Sequence, residues 1–258
     1  MTVPVLPTVT GVAGAVAVLL RLSLWRSHPG SRPLTVALAL LMLAAVLTQP
    51  AIISDDWVDQ ATPESVRLAN VSNLIGDLVA VAAACCLVLT VGHAWGQRRL
   101  MRWTGRSFAA TSVLLLVLYA VSEAHVTPTM YIGNLGGLAS VYIYVTAAAL
   151  LVANLAVLGS LIYAFPHSTD RTRISLLPMA IGAIVGTALI VLLVVDGLWP
   201  NRFGGWYVEW SWRIAAVMVL AYAVSGILGY LQLRGGPSGR DREQDERGEQ
   251  HQVHGALQ

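Results

Sequence analysis

The chain has 258 residues, 56% of them hydrophobic and 12% charged, with a formal net charge of +2. A soluble domain carries about 25% charged residues, so half the usual solvating surface is missing and an ordinary water-soluble domain is excluded. All sixteen basic residues are Arg, which excludes a retinal or pyridoxal Schiff base, a P-loop lysine and a kinase-type lysine.

Apolar runs of about 18 or more residues recur along the chain and read as spanning helices. The fold class expected is all-α: a polytopic transmembrane bundle of about seven helices over residues 1–233, then a charged, disordered cytoplasmic tail over 234–258. In chain order the helices are expected at about 7–25, 34–53, 63–96, 107–122, 138–165, 174–198 and 212–233. The first run has no basic residue before it, and Arg21, Arg26 and Arg32 follow it. That order reads as a first helix with its N-terminus outside, not as a cleavable signal. An acidic outer loop with Asp55, Asp56, Asp59 and Glu64 follows the second helix. Thr62-Pro63-Glu64 has the cap, the proline and the carboxylate of a helix start. Pro178 is expected near the start of the sixth helix, where proline is cheap.

Loop charges set the expected orientation. Thirteen Arg fall in the first, third and fifth loops and the tail, against Arg67, Arg202 and Arg213 on the other side. Such a bias places the basic side in the cytoplasm and the C-terminus with it. Trp25, Trp95 and Trp103 fall at inner boundaries and Trp57, Trp199, Trp206, Trp210 and Trp212 at outer ones, as in an aromatic belt.

Ionisable residues inside a bilayer are expensive and are default functional candidates. Asn70, Asn73 and Asp77 are spaced by three and four, which puts them on one face of the third helix. Glu123 and His125 after the fourth helix, Asp196 ending the sixth and Arg213 opening the seventh are expected at the same outer level. Two interpretations stay open. The group is either a ligand-binding pocket open to the outside, or a buried Asp77–Arg213 pair with the Asn residues as interhelical glue. His125 with Glu123 and Asp77 is the only conceivable catalytic set. Asn154 and the Gly182–Gly186 pair (a GxxxG spacing) are packing signals, within one chain or between copies.

Other signals are bland. Cys85 and Cys86 are adjacent and offer no metal-ligand spacing. The glycine-rich stretch from Tyr131 to Gly137 has no basic partner for phosphate and reads as a flexible loop. No zinc-protease pattern or nucleophile elbow is present, so no cofactor, no metal and no catalytic residue is expected. The expected surroundings are the lipid bilayer of a cell membrane, with anionic head groups near Arg98, Arg99 and Arg102. A homo-oligomer and a cytoplasmic partner for the tail stay open, and nucleic acid has no support.

The span from Leu20 to Leu233 resembles a group of actinobacterial or prophage-borne seven-helix membrane proteins, often described only as candidate transporters. The shared features are an Arg-rich first inner loop, the helix ending Leu47-Thr48-Gln49-Pro50-Ala51, an Arg-rich third loop and a short charged tail. The resemblance implies a multi-pass membrane protein and carries no functional residue with it. The function expected is a non-enzymatic sensor, regulator or exclusion factor with an outward polar cluster. A small-solute transporter is the alternative.

Overall fold

The computed structural model describes residues 5–47, 68–129, 131–198 and 206–234. Among them are seven helices and no strand: α1 (Val5–Ser23), α2 (Arg32–Leu47), α3 (Val71–Ala94), α4 (Arg98–Val121), α5 (Gly137–Ala164), α6 (Asp170–Leu198) and α7 (Trp206–Arg234). Six are long and apolar enough to cross a membrane. At 1.5 Å per residue, the 24 residues of α3 reach about 36 Å, more than a hydrocarbon core of about 30 Å. The chain is an all-α integral membrane protein. The start expected at Thr62-Pro63-Glu64, the acidic loop before it, the end of the second helix beyond Leu47 and the tail after Arg234 lie outside the described residues.

Burial follows the logic of lipid rather than of water. Ile162, Leu19 and Val152 are 75%, 66% and 64% exposed, while Ala17, Ala37, Ala83, Ala183 and Ala223 are fully buried. Lipid tails are as apolar as leucine, so burying large side chains gains little. Small residues instead let backbones approach and gain dispersion contact.

Neighbouring helices in the chain pack side by side, and α1 closes the ring against α7. Two further contacts, α3 with α5 and α2 with α7, cross the interior. Side-chain pairs fix directions. Asp77 meets Tyr142, and Trp95 meets Ser160, so α3 and α5 run the same way. Thr10 meets Ala216, and Arg21 meets Gly226, so α1 and α7 also run together. Ser175 meets Gln232, which makes α6 antiparallel to α7. The bundle has two chemically different ends, named below for Asp77 and Arg98.

Four boundaries differ from the sequence expectation for physical reasons. Helix α3 starts at Val71, because residues 68–70, inside the helix expected over 63–96, form a turn in which Asn70 takes a left-handed φ of 60°. Helix α4 starts at Arg98 rather than near residue 107, because the stretch Arg98-Arg99-Leu100-Met101-Arg102 is made of strong helix formers. The turn before it is compressed to residues 95–97. Gly96 at φ 62° takes the left-handed position after α3, Gln97 N–H bonds Gly92 C=O at 2.8 Å and Gly96 N–H bonds His93 C=O at 3.2 Å. This double closure ends the helix in a form that glycine adopts without steric cost. Helix α6 begins at Asp170, whose carboxylate suits the positive helix end and pairs with Arg173 at 3.0 Å. Pro178 therefore sits inside α6 rather than near its start, and removes one intrahelical bond there. Helix α7 begins at Trp206, ahead of the expected Trp212. The stretch from Tyr131 to Gly137 is not a free loop: Ile132–Leu135 forms a 3-10 turn, and Ile132 is 1% exposed among Leu115, Leu118 and Tyr142.

Candidate functional site

The start of α3, the end of α4, the end of α6 and the start of α7 share one end of the bundle, so every ionisable candidate falls there, and none of the packing residues Asn154, Gly182 and Gly186 does. Asn70 holds the connection after α4. Its backbone is left-handed at φ 60°, a conformation asparagine tolerates better than most residues. Its Nδ2 donates to Ala124 C=O and Thr127 C=O, both at 2.8 Å, and its Oδ1 accepts from Thr129 N–H at 2.9 Å. The Tyr119 hydroxyl donates to Ala69 C=O, and Ala69 N–H donates to His125 C=O at 2.9 Å. Asn70 thus has its amide filled by backbone, and no donor or acceptor of that set points to a ligand.

His125 is tied to the same turn. Its Nδ1 lies 2.6 Å from Ser122 C=O, which can only accept, so Nδ1 carries the proton. Glu123 is exposed. The conceivable catalytic set is not assembled by these bonds: Asp77 bonds Tyr142, and His125 bonds a carbonyl.

Deeper in the end, the Tyr142 hydroxyl donates to Asp77 Oδ2 at 2.7 Å. The expected Asp77–Arg213 pair is replaced by this bond. Arg213 lies over its own helix's aromatics, its guanidinium carbon 4.6 Å from the Trp210 ring and 5.2 Å from the Trp212 ring. A tyrosine shields a carboxylate without importing a second charge into lipid, and the indole faces hold the arginine where it can reach the interface. Two buried polar atoms here have no hydrogen-bond partner among the described residues, Asn73 Nδ2 on α3 and Asp196 Oδ1 on α6. Tyr131 connects the two sides. Burial pushes its phenol well above the ordinary range, and the charges of Asp196 and Asp77 push it further. Both carboxylates therefore act on one phenol, and with Asn73 and Tyr142 they make up a polar cluster at this end.

The centre of the bundle holds a smaller polar spot that sequence reasoning saw only as packing. The Tyr222 hydroxyl donates to Asn154 Oδ1 at 3.1 Å. Both line a cavity of about 50 Å³ with Leu41, Ala84, Gly186 and Met218. A Cβ on Gly186 would lie 2.8 Å from Asn154 Nδ2 and from Met218 Sδ, and one on Gly182 3.1 Å from the Tyr222 ring. The GxxxG face is thus filled by α5 and α7 of the same chain. Between the cavity and Asp77 come Val81 and Ile143; beyond it come Val157 and Leu161, all buried.

Arg21 is the residue that sequence analysis placed wrongly. It was expected as a loop charge, yet it is 4% exposed between α1, α2 and α7. Its Nε donates to Thr35 Oγ1 and its Nη1 to Gly226 C=O, both at 3.3 Å, and its Nη2 lies 3.5 Å from Ser31 C=O. The available signal was its position inside the apolar run Leu19-Leu20-Arg21-Leu22 rather than after it.

Among the described residues no group of three or more His, Cys, Asp or Glu is arranged to hold a metal ion. Fold and composition together define a multi-pass helical membrane protein. Compared with protein-family models, with curated proteins and with solved structures, the chain matches none.

Proposed function

We propose that the chain is a non-enzymatic sensor, regulator or exclusion factor of the cell membrane, working through the polar cluster at its Asp77 end. That end faces outward in this proposal, since the basic side of a membrane protein is normally cytoplasmic. The observation that carries the reading is that Asn73 Nδ2 and Asp196 Oδ1, at the end where Asp77 and Tyr142 meet, are buried with no hydrogen-bond partner among the described residues. An unsatisfied buried donor or acceptor costs about 1–3 kcal/mol, so a small ligand offering an acceptor to Asn73 and a donor to Asp196 recovers that free energy. The resemblance to seven-helix actinobacterial or prophage-borne proteins agrees with the membrane setting.

Small-solute transport is the alternative. The Asn154–Tyr222 spot supports it as a polar step at mid-depth, while the buried Val157 and Leu161 beyond it oppose a continuous path. The test is a thermal-shift screen of small amines, amino acids and cations on the purified full chain. Stabilisation that disappears in both Asp196→Asn and Asn73→Leu, with their melting otherwise intact, supports binding at the cluster. Stabilisation retained in both variants overturns it, and ligand flux into proteoliposomes would move the function to transport.

A further inference from the structure

The Arg98 end carries a cleft that none of the preceding argument uses. It measures about 380 Å³ and is lined by Val91, Trp95, Gln97, Gly159, Ser160 and Tyr163, between the last turns of α3 and α5. Its volume is within the roughly 300–1,000 Å³ of small-molecule sites. Its walls are fixed: the Trp95 Nε1 donates to Ser160 Oγ at 2.8 Å, and the Trp95 and Tyr163 rings meet edge to face at 4.9 Å. Tyr163 in turn stacks on His167 with ring centres 5.2 Å apart. The floor is open because Gly159 has no side chain; a Cβ there would meet nothing within 4 Å.

The charge around this cleft is one-sided. Gln97 leads directly into α4, whose exposed Arg98, Arg99 and Arg102 crowd its first turns with no acidic residue in the first. Cations at a helix N-terminus oppose the helix dipole, at about 0.3–1 kcal/mol each. Among the described residues at this end the only carboxylate is Asp170, already paired with Arg173. An anion seated beside Gln97 would lie next to the arginines of the first turns of α4 and at the positive end of its dipole. The aromatic pair below it suits the glycerol and first methylenes of a lipid, as indole and phenol rings do at a membrane boundary.

We infer that this cleft is a specific site for one anionic phospholipid, its phosphate held by Arg98 and Arg99 and its glycerol end lying over Trp95 and Tyr163 in the space left by Gly159. The lipid bridges α3, α4 and α5 from the membrane side. This inference stands apart from the polar cluster at the other end.

The test is native mass spectrometry of the full chain in detergent, titrated with phosphatidylglycerol or phosphatidylcholine of the same acyl chains. Phosphatidylglycerol should be retained in preference, as a single adduct. Gly159→Leu should abolish that adduct without lowering the melting temperature, because the new side chain fills the cleft and meets no neighbour at its Cβ. Arg98→Gln and Arg99→Gln, exposed and outside the bundle packing, should each weaken it about fivefold, the equivalent of about 1 kcal/mol per arginine near the lipid surface. Equal retention of the two lipids, or an adduct untouched by Gly159→Leu and by Arg98→Gln with Arg99→Gln, overturns the inference. Lipid taken up only after removal of residues 235–258 would assign the cleft to the tail and overturn it as well.

Discussion

The Tyr142 hydroxyl donates a 2.7 Å hydrogen bond to Oδ2 of Asp77, joining α5 to α3 at the end of the bundle where the ionisable residues gather. This bond supplies the partner that a basic residue was expected to supply. It leaves this end with two carboxylates, Asp77 and Asp196, and no arginine bonded to either among the described residues.

Removing the donor should cost more than changing the acceptor. Tyr142 is fully buried, so Tyr142→Phe leaves the Asp77 carboxylate without its hydroxyl. A hydrogen bond to a charged group contributes about 1.5–3 kcal/mol. The expected result is a lower melting temperature in detergent for Tyr142→Phe, and a smaller loss for Asp77→Asn, whose amide oxygen still accepts the bond. A double variant that loses only as much as Tyr142→Phe alone would establish the coupling.

At Gly186, α6 meets side chains of both α5 and α7. Gly186→Ala puts a methyl group 2.8 Å from both Asn154 Nδ2 and Met218 Sδ, and overpacking of this kind costs about 1–3 kcal/mol. Gly105→Ala on α4, where a Cβ meets nothing within 4 Å, should be neutral or stabilising by up to about 1 kcal/mol. Equal melting of the two variants would contradict this packing.

Asn70 is a loop anchor with three backbone bonds and a left-handed conformation. Asn70→Ala loses all of them and should destabilise the fold by about 4–5 kcal/mol, counting about 1 kcal/mol for each bond and about 1–2 kcal/mol for the αL penalty. Asn70→Gly relieves the backbone strain and should recover part of that loss. Protease cutting between Ser122 and Thr129 should rise in the order wild type, Asn70→Gly, Asn70→Ala.

The fold was legible from hydropathy because spans of this length have no other stable form in lipid. Boundaries at charged segments were less so. The Arg98–Arg106 stretch reads equally as loop or as the first turns of a helix, and Gly96 with its double closure decides between them. For the site, helical spacing and alternating direction placed Asp77, Asn73, Asp196 and Arg213 at one end. The partners were not legible, because they depend on which neighbour stands opposite. Tyr142 looks like any aromatic at a membrane boundary, and nothing local to Arg213 distinguishes a carboxylate partner from the indoles of Trp210 and Trp212. Arg21 was hidden for a related reason: a count of charges by loop cannot tell a basic residue in water from one turned into the bundle.

The manner in which Arg21 is held leads to the last prediction. Its bonds go to one hydroxyl and two carbonyls, and no carboxylate among the described residues pairs with it. The acceptors are not wholly dependent on it, since Ser31 C=O also accepts from Thr35 Oγ1 at 3.1 Å. Replacing a buried charge by an apolar side chain of similar length is often close to neutral, so Arg21→Met should change stability by about 1 kcal/mol or less. Arg21→Lys should be worse than Arg21→Met. An ammonium keeps the desolvated charge but lacks the planar fork that reaches α2 and α7 together. Melting of both variants in detergent checks this order. The reverse order, with lysine tolerated and methionine not, would mean that the charge itself is what the junction of α1, α2 and α7 requires.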